Sequence, residues 1–222
     1  MAYATVSRTR RRASVLLAVV VTAFLLYSVP PYASGGSRVP PTFAWHYPLL
    51  VAHVLLASVA MVAVVAQLWS RRFHRSIGRT YVVTAVPAAA SALVIGALTP
   101  FGPMLAVSNV VLAVLWLWFT LNGFRHARRG RWRAHRADMV RSAALALSVI
   151  TNRIWTPVLV LALDPLRENI FGGDEQAYLY LTAGLGGWLG WLIPLAAAQW
   201  WLRRRRVTTP SPKPFEQGTR PV

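Results

Sequence analysis

The chain has 222 residues, 55% of them hydrophobic, with a mean hydropathy of +0.44 and a formal net charge of +18. Apolar residues gathered into such long runs exclude an ordinary soluble domain, and positive charges that alternate with those runs exclude a nucleic-acid-binding face. The absence of cysteine excludes disulfides, thiolate metal sites, iron–sulfur clusters and c-type haem attachment.

Residues 1–12 form a short basic tail with Arg8, Arg10, Arg11 and Arg12. An apolar run over 13–29, stopped by Pro30 and Pro31, predicts a first span. Its length, and the lack of a small-x-small cleavage site after it, favour a retained helix over a secretory signal peptide. A Pro/Gly/Ser-rich loop follows. Further spans are predicted at 47–69, 80–98, 104–124, 139–163 and 177–202, each near the roughly 20 residues that cross a bilayer. Residues 203–222 read as a disordered basic, Pro-rich tail. The expected fold is all-α, a polytopic bundle of six transmembrane helices with no soluble domain.

Basic residues orient such a bundle. With both termini on one side, every one of the 24 Lys and Arg falls on that side except Arg38, Arg167 and the intramembrane Arg153. Asp164, Glu168, Asp174 and Glu175 lie in the opposite loop. An N-in, C-in protein of the bacterial cytoplasmic membrane follows, surrounded by lipid, with anionic headgroups against its arginine-rich face.

Arg153 stands out within the fifth span. A guanidinium keeps its charge, and placing one in hydrocarbon costs at least about 2.5–3.5 kcal/mol, so Arg153 must face a partner, a cavity or the bundle interior. On the second span His46, His53, Ala57, Ala60, Val64 and Gln67 recur at helical spacing on one face. His53 lies about 9 Å from the outer end of its span and Arg153 about 15 Å from the outer end of its own, by helical rise. A long arginine side chain bridges much of that difference. His53, Asn152, Arg153 and Gln67 are therefore the expected ligand pocket; the alternative is a buried polar lock between helices.

At the basic end, His74-Arg75 leads into the third span and His135-Arg136 into the fifth, a weak parallel repeat of two hairpins. The two histidines at matching depth are candidate haem ligands; the plainer reading is that basic turns of this kind bind lipid headgroups. Asp138 is expected to cap a helix start or to pair with Arg141. Gly186 and Gly190 form a GxxxG pair, predicting a close helix contact within the chain or to a second copy. Trp155, Trp188, Trp191, Trp200 and Trp201 are expected in an interfacial belt. No P-loop, GxSxG or HExxH motif is present.

His53, Gln67, the stretch HRSIGRTY from His74 to Tyr81, the stretch HRADMVRS from His135 to Ser142, and Arg153 together resemble bacterial integral membrane proteins of domain of unknown function 2306. The resemblance covers roughly residues 48–163. The family pattern has an aromatic before the Met of the second stretch, where this chain has Asp138. Because the family carries no established activity, the resemblance implies fold and topology. The architecture is also similar to six-helix, two-haem b-type cytochromes. By that similarity His53, His74 and His135 fall on ligand-bearing spans, while Asn109 stands where the fourth-span ligand would be. Only an inner b-type haem, on His74 and His135, is then implied. The expected function is binding of a haem or quinone in the bundle for electron transfer. The alternatives are non-redox binding or transport of a small ligand, and a structural membrane partner whose basic face docks an acidic protein or lipid.

Overall fold

The computed structural model describes residues 2–36, 39–70 and 72–207; Arg38, Arg71 and the tail expected over 208–222 lie outside the described residues. Among the described residues eight α-helices follow one another: α1 (Ala2–Ser28), a short α2 (Pro30–Ala33), α3 (His46–Trp69), α4 (His74–Ala97), α5 (Pro103–Arg128), α6 (Trp132–Leu163), α7 (Arg167–Phe171) and α8 (Glu175–Val207). A 3-10 turn, Asp164–Leu166, joins α6 to α7. Among the described residues there is no strand, and α1, α3, α4, α5, α6 and α8 are long and apolar enough to cross a membrane. A backbone in hydrocarbon must satisfy its own hydrogen bonds, which is why each apolar run becomes a helix.

The helices reach further at the basic end than the apolar runs suggest. The two His-Arg stretches, expected as turns before the spans, are the first turns of α4 and α6. Nothing in them breaks a helix; the breaks lie outside them. The Ser70 hydroxyl accepts the Phe73 N–H at 3.1 Å before α4 begins. Gly130, at φ +68, supplies the left-handed residue that closes the turn from α5 into α6.

Consecutive helices α3, α4, α5 and α6 pack each on the next, and α8 packs on both α5 and α6. Lipid tails are as apolar as leucine, so close backbone approach has to drive this association. The core is accordingly rich in alanine, with Ala60, Ala63, Ala85, Ala88 and Ala89 around Tyr81, Trp116, Leu145 and Trp191. α3 and α6 meet only sparsely. α1 covers that seam, through Val21 on Met61 and Val65 with Leu147 and Ile150 of α6 alongside.

The GxxxG pair is used inside the chain. A Cβ on Gly190 would stand 2.8 Å from the Asn152 Cβ and 3.0 Å from its Cα, and one on Gly186 would stand 3.2 Å from the Thr156 Cα. α8 thus meets the α6 backbone along one seam. Trp191 departs from the expected belt: it is buried, and its indole N–H donates to the Ser108 hydroxyl at 3.0 Å. Trp200 and Trp201 do lie near the end of α8, stacked under Arg204 and Arg205 at 3.7 and 4.3 Å.

Gly190→Ala is expected to destabilise the bundle by about 1–3 kcal/mol, because its new methyl meets α6 backbone. Gly187→Ala, whose methyl meets the tip of the Leu105 side chain, should cost less. Thermal unfolding of both variants in one detergent ranks them; equal costs would show that the α6–α8 seam yields freely.

Candidate functional site

In the half of the bundle away from the basic end lies a cavity of about 280 Å³, touched by all six long helices. That is near the lower end of the roughly 300–1,000 Å³ of sites that hold small molecules. Its wall is mostly apolar. Besides Ser28 and Tyr32 from α1 and α2, four polar side chains of the inner helices line it: His53 from α3, Asn109 from α5, and Asn152 and Arg153 from α6. The lining serines Ser58 and Ser148 instead donate to carbonyls of their own helices, at 2.6 Å each.

His53, Asn109 and Asn152 are placed by their neighbours. The His53 Nδ1 lies 2.9 Å from the Ala88 carbonyl and 3.2 Å from the Ser91 hydroxyl. A carbonyl only accepts, so Nδ1 carries the proton, and Nε2 is the ring atom left over. Asn152 sits against Gly190, and its Oδ1 accepts the Thr156 hydroxyl at 2.9 Å. Its amide N–H groups remain. Asn109 lies against Gly96, where a Cβ would come within 2.6 Å of its own. Arg153 is exposed on the bundle surface while lining the cavity, and so marks its mouth. No hydrogen-bond or ion-pair partner for it occurs among the described residues.

Three of the four residues expected in the pocket thus line one cavity: His53, Asn152 and Arg153. Gln67 does not. It shares a face of α3 with His53 but lies about 21 Å further along the helix. Its Nε2 donates to the His74 carbonyl at 2.9 Å, its Oε1 is buried without a partner, and it lines a groove with Ser70, Arg72, His74 and Arg75.

His74, the first residue of α4, is exposed in that groove, which does not include His135. The His135 Nδ1–H donates to the Gly123 carbonyl at 2.8 Å, with Trp132 edge-on to the ring. Two turns further along both helices, Tyr81 and Ser142 occupy the same place in the two His-Arg stretches, and their hydroxyls meet at 2.5 Å. The Trp116 N–H donates to the Tyr81 oxygen at 3.1 Å, Thr120 and Ser142 hydroxyls lie 2.7 Å apart, and Thr120 donates to the Trp116 carbonyl at 2.7 Å. That last bond sets the direction of the rest: Trp116 to Tyr81, Tyr81 to Ser142, Ser142 to Thr120, Thr120 back to Trp116. All four donors are satisfied in a closed, buried ring. Trp116 also lines the cavity, so the ring forms its floor.

Asp138 lies well inside α6 and does not cap it. It accepts from Arg141 and from the His126 Nδ1, each at 2.9 Å. The Arg141 Nε donates in turn to the Gln199 amide oxygen at 3.0 Å, and its guanidinium lies 5.4 Å from the centre of the Phe119 ring. His126, Gln199, Trp116 and Thr120 carry no signal of their own in the sequence, because their partners lie on other helices. For Tyr81 and Ser142 a signal does exist, since both end a matched stretch.

These features define a six-span membrane helix bundle with a polar-tipped internal cavity. Residues 50–202 match the family described as "Predicted membrane protein (DUF2306)", and the chain belongs to that family. The match runs through most of α8, beyond the 48–163 of the expected resemblance, and leaves α1 and α2 outside it. No curated protein and no solved structure matches the chain.

Tyr81→Phe, which strips the ring of a donor and an acceptor while keeping the shape, is expected to cost about 1–3 kcal/mol. Asp138→Asn, which removes the negative charge beside Arg141, is expected to cost about 3–5 kcal/mol. Thermal unfolding of the purified variants measures both, and an unchanged midpoint for Tyr81→Phe would show that the ring does not hold the helices.

Proposed function

We propose that this multi-pass membrane protein binds a small amphipathic molecule from the bilayer in the cavity at His53, Asn109, Asn152 and Arg153. One observation carries the proposal. A permanent cation sits within a membrane span, at the mouth of a cavity, without a partner among the described residues. Intramembrane charges of this kind are costly, and ligand or ion pathways are where they are kept. A mostly apolar wall with a few convergent polar groups is the usual make-up of a small-molecule site. α1 contributes Phe24, Leu25 and Ser28 to the lining and covers the α3–α6 seam. A molecule in the lipid phase therefore reaches the cavity beside α1 without crossing the basic face.

Haem-linked electron transfer through His74 and His135 is not adopted. The groove at His74 does not include His135, and Tyr81 touches Ser142 between their helices. A quinone stays within the proposal as a neutral amphiphile whose carbonyls accept hydrogen bonds.

Native mass spectrometry of the full chain, extracted from its membranes in mild detergent, is expected to show a small-molecule adduct. Ala57→Phe, which fills the cavity from α3, should remove the adduct and leave the protein monodisperse. A wild-type chain that carries no adduct and takes up no added amphiphile would end the proposal.

A further inference from the structure

We infer that the occupant is an anionic amphiphile, a single-chain carboxylate whose head group lies on Arg153 and Asn152 and supplies a counter-charge that Arg153 does not find among the described residues. This rests on the ligand binding proposed above and adds the chemistry of the head.

Charge balance is the first ground. Within the described spans the only acid away from the helix ends is Asp138, and it is held by Arg141 and His126. It also lies about 22 Å along α6 from Arg153, by helical rise. Of the acids at the opposite end, Glu168 lies beyond Asp164 on α7 and makes no ion pair with Arg153 among the described residues. Asp164 follows Arg153 by about 16 Å of the same helix, Glu175 pairs with Arg167, and Asp174 accepts the Ala177 N–H at 3.0 Å. A charged guanidinium in a low-dielectric setting without an internal partner is a receptor for an external anion.

Hydrogen-bond inventory is the second ground. The serines Ser58 and Ser148 have spent their protons on backbone carbonyls. The Asn152 Oδ1 is taken by Thr156, which leaves that amide's N–H donors free for a ligand. The Arg153 guanidinium has donors only. Asn152 and Arg153, adjacent on α6, ask for acceptor oxygens, and the planar fork of an arginine matches the two oxygens of a carboxylate; the His53 Nε2 on α3 only accepts and takes no part in holding the head. Shape is the third ground. At about 280 Å³ the cavity takes a compact head and part of one chain, and its mouth at Arg153 opens on the lipid side, where the rest of an alkyl tail stays in hydrocarbon. A glycerophospholipid head is too large for that space, and its place is at the bilayer surface.

The test uses the full chain in phosphatidylcholine nanodiscs, with three probes of equal tail length: decanoate, decanol and decylubiquinone. Affinity is read from ligand-induced thermal shifts. Decanoate is expected to bind about tenfold or more tightly than decanol, the worth of a charge-assisted contact. Arg153→Gln should bring the affinity for decanoate down to that for decanol, Arg153→Lys should keep most of the preference, and Ala57→Phe should abolish binding of every probe. Decanol binding as tightly as decanoate, or decylubiquinone binding more tightly than either with no effect of Arg153→Gln, would overturn the carboxylate while leaving the cavity occupied. Wild-type protein that binds none of the three would overturn both the carboxylate and the ligand site. Should Arg153→Gln fail to fold, the decanoate-to-decanol ratio on the wild type and on Arg153→Lys still decides.

Discussion

The closed ring of hydrogen bonds among Trp116, Tyr81, Ser142 and Thr120 is the interaction on which the architecture turns. It joins α4, α5 and α6 at one level, deep in the bundle. Apolar side chains alone cannot specify such a meeting in a membrane, because each would be as content against lipid. Hydroxyls and an indole N–H in hydrocarbon are not content until paired, and here every donor is paired by one of the other three residues. A ring that satisfies itself asks nothing of water or of a ligand. It closes the bundle below Trp116 and leaves open the half above it.

The open half is shaped by what the helices do there. The glycines of α8 let its backbone reach α6, and that seam holds Asn152 in place. α3 and α4 are tied instead by the His53 ring against the Ala88 carbonyl. Between those two seams α3 and α6 stay apart, and α1 fills the gap from outside. The cavity is thus the residue of two tight contacts on either side of a loose one. The charges divide the same way. Asp138, His126, Arg141 and Gln199 form a satisfied group toward the basic end, whereas Arg153 carries its charge at the cavity mouth. Arg141 and Arg153, on the same helix, therefore have opposite situations, one neutralised by Asp138 and the other without a counter-charge among the described residues.

Much of this is legible in the amino-acid sequence. Six apolar runs, the side on which the basic residues gather, and the anomaly of Arg153 all follow from the cost of putting charge and bare backbone into hydrocarbon. Helical period places His53 and Gln67 on one face of α3, yet a face is as long as its helix. Period cannot say that the cavity stops far short of Gln67. His74 and His135 match in sequence context, but the bond that forms between α4 and α6 is two turns away, at Tyr81 and Ser142, the last residues of the same two stretches. Trp191 reads as interfacial by residue type and is core because Ser108 of α5 accepts its N–H.

The sequence by itself determined the class of protein, the number of spans and the one charge that demands explanation, since these depend on each segment's own transfer from water to lipid. Only the tertiary structure decided which polar groups answer one another. Asp138 finds His126, Arg141 finds Gln199, Gly190 finds Asn152, and Arg153 finds a cavity. Partners on different helices are selected by packing and depth, and neither is written in the order of residues along one helix.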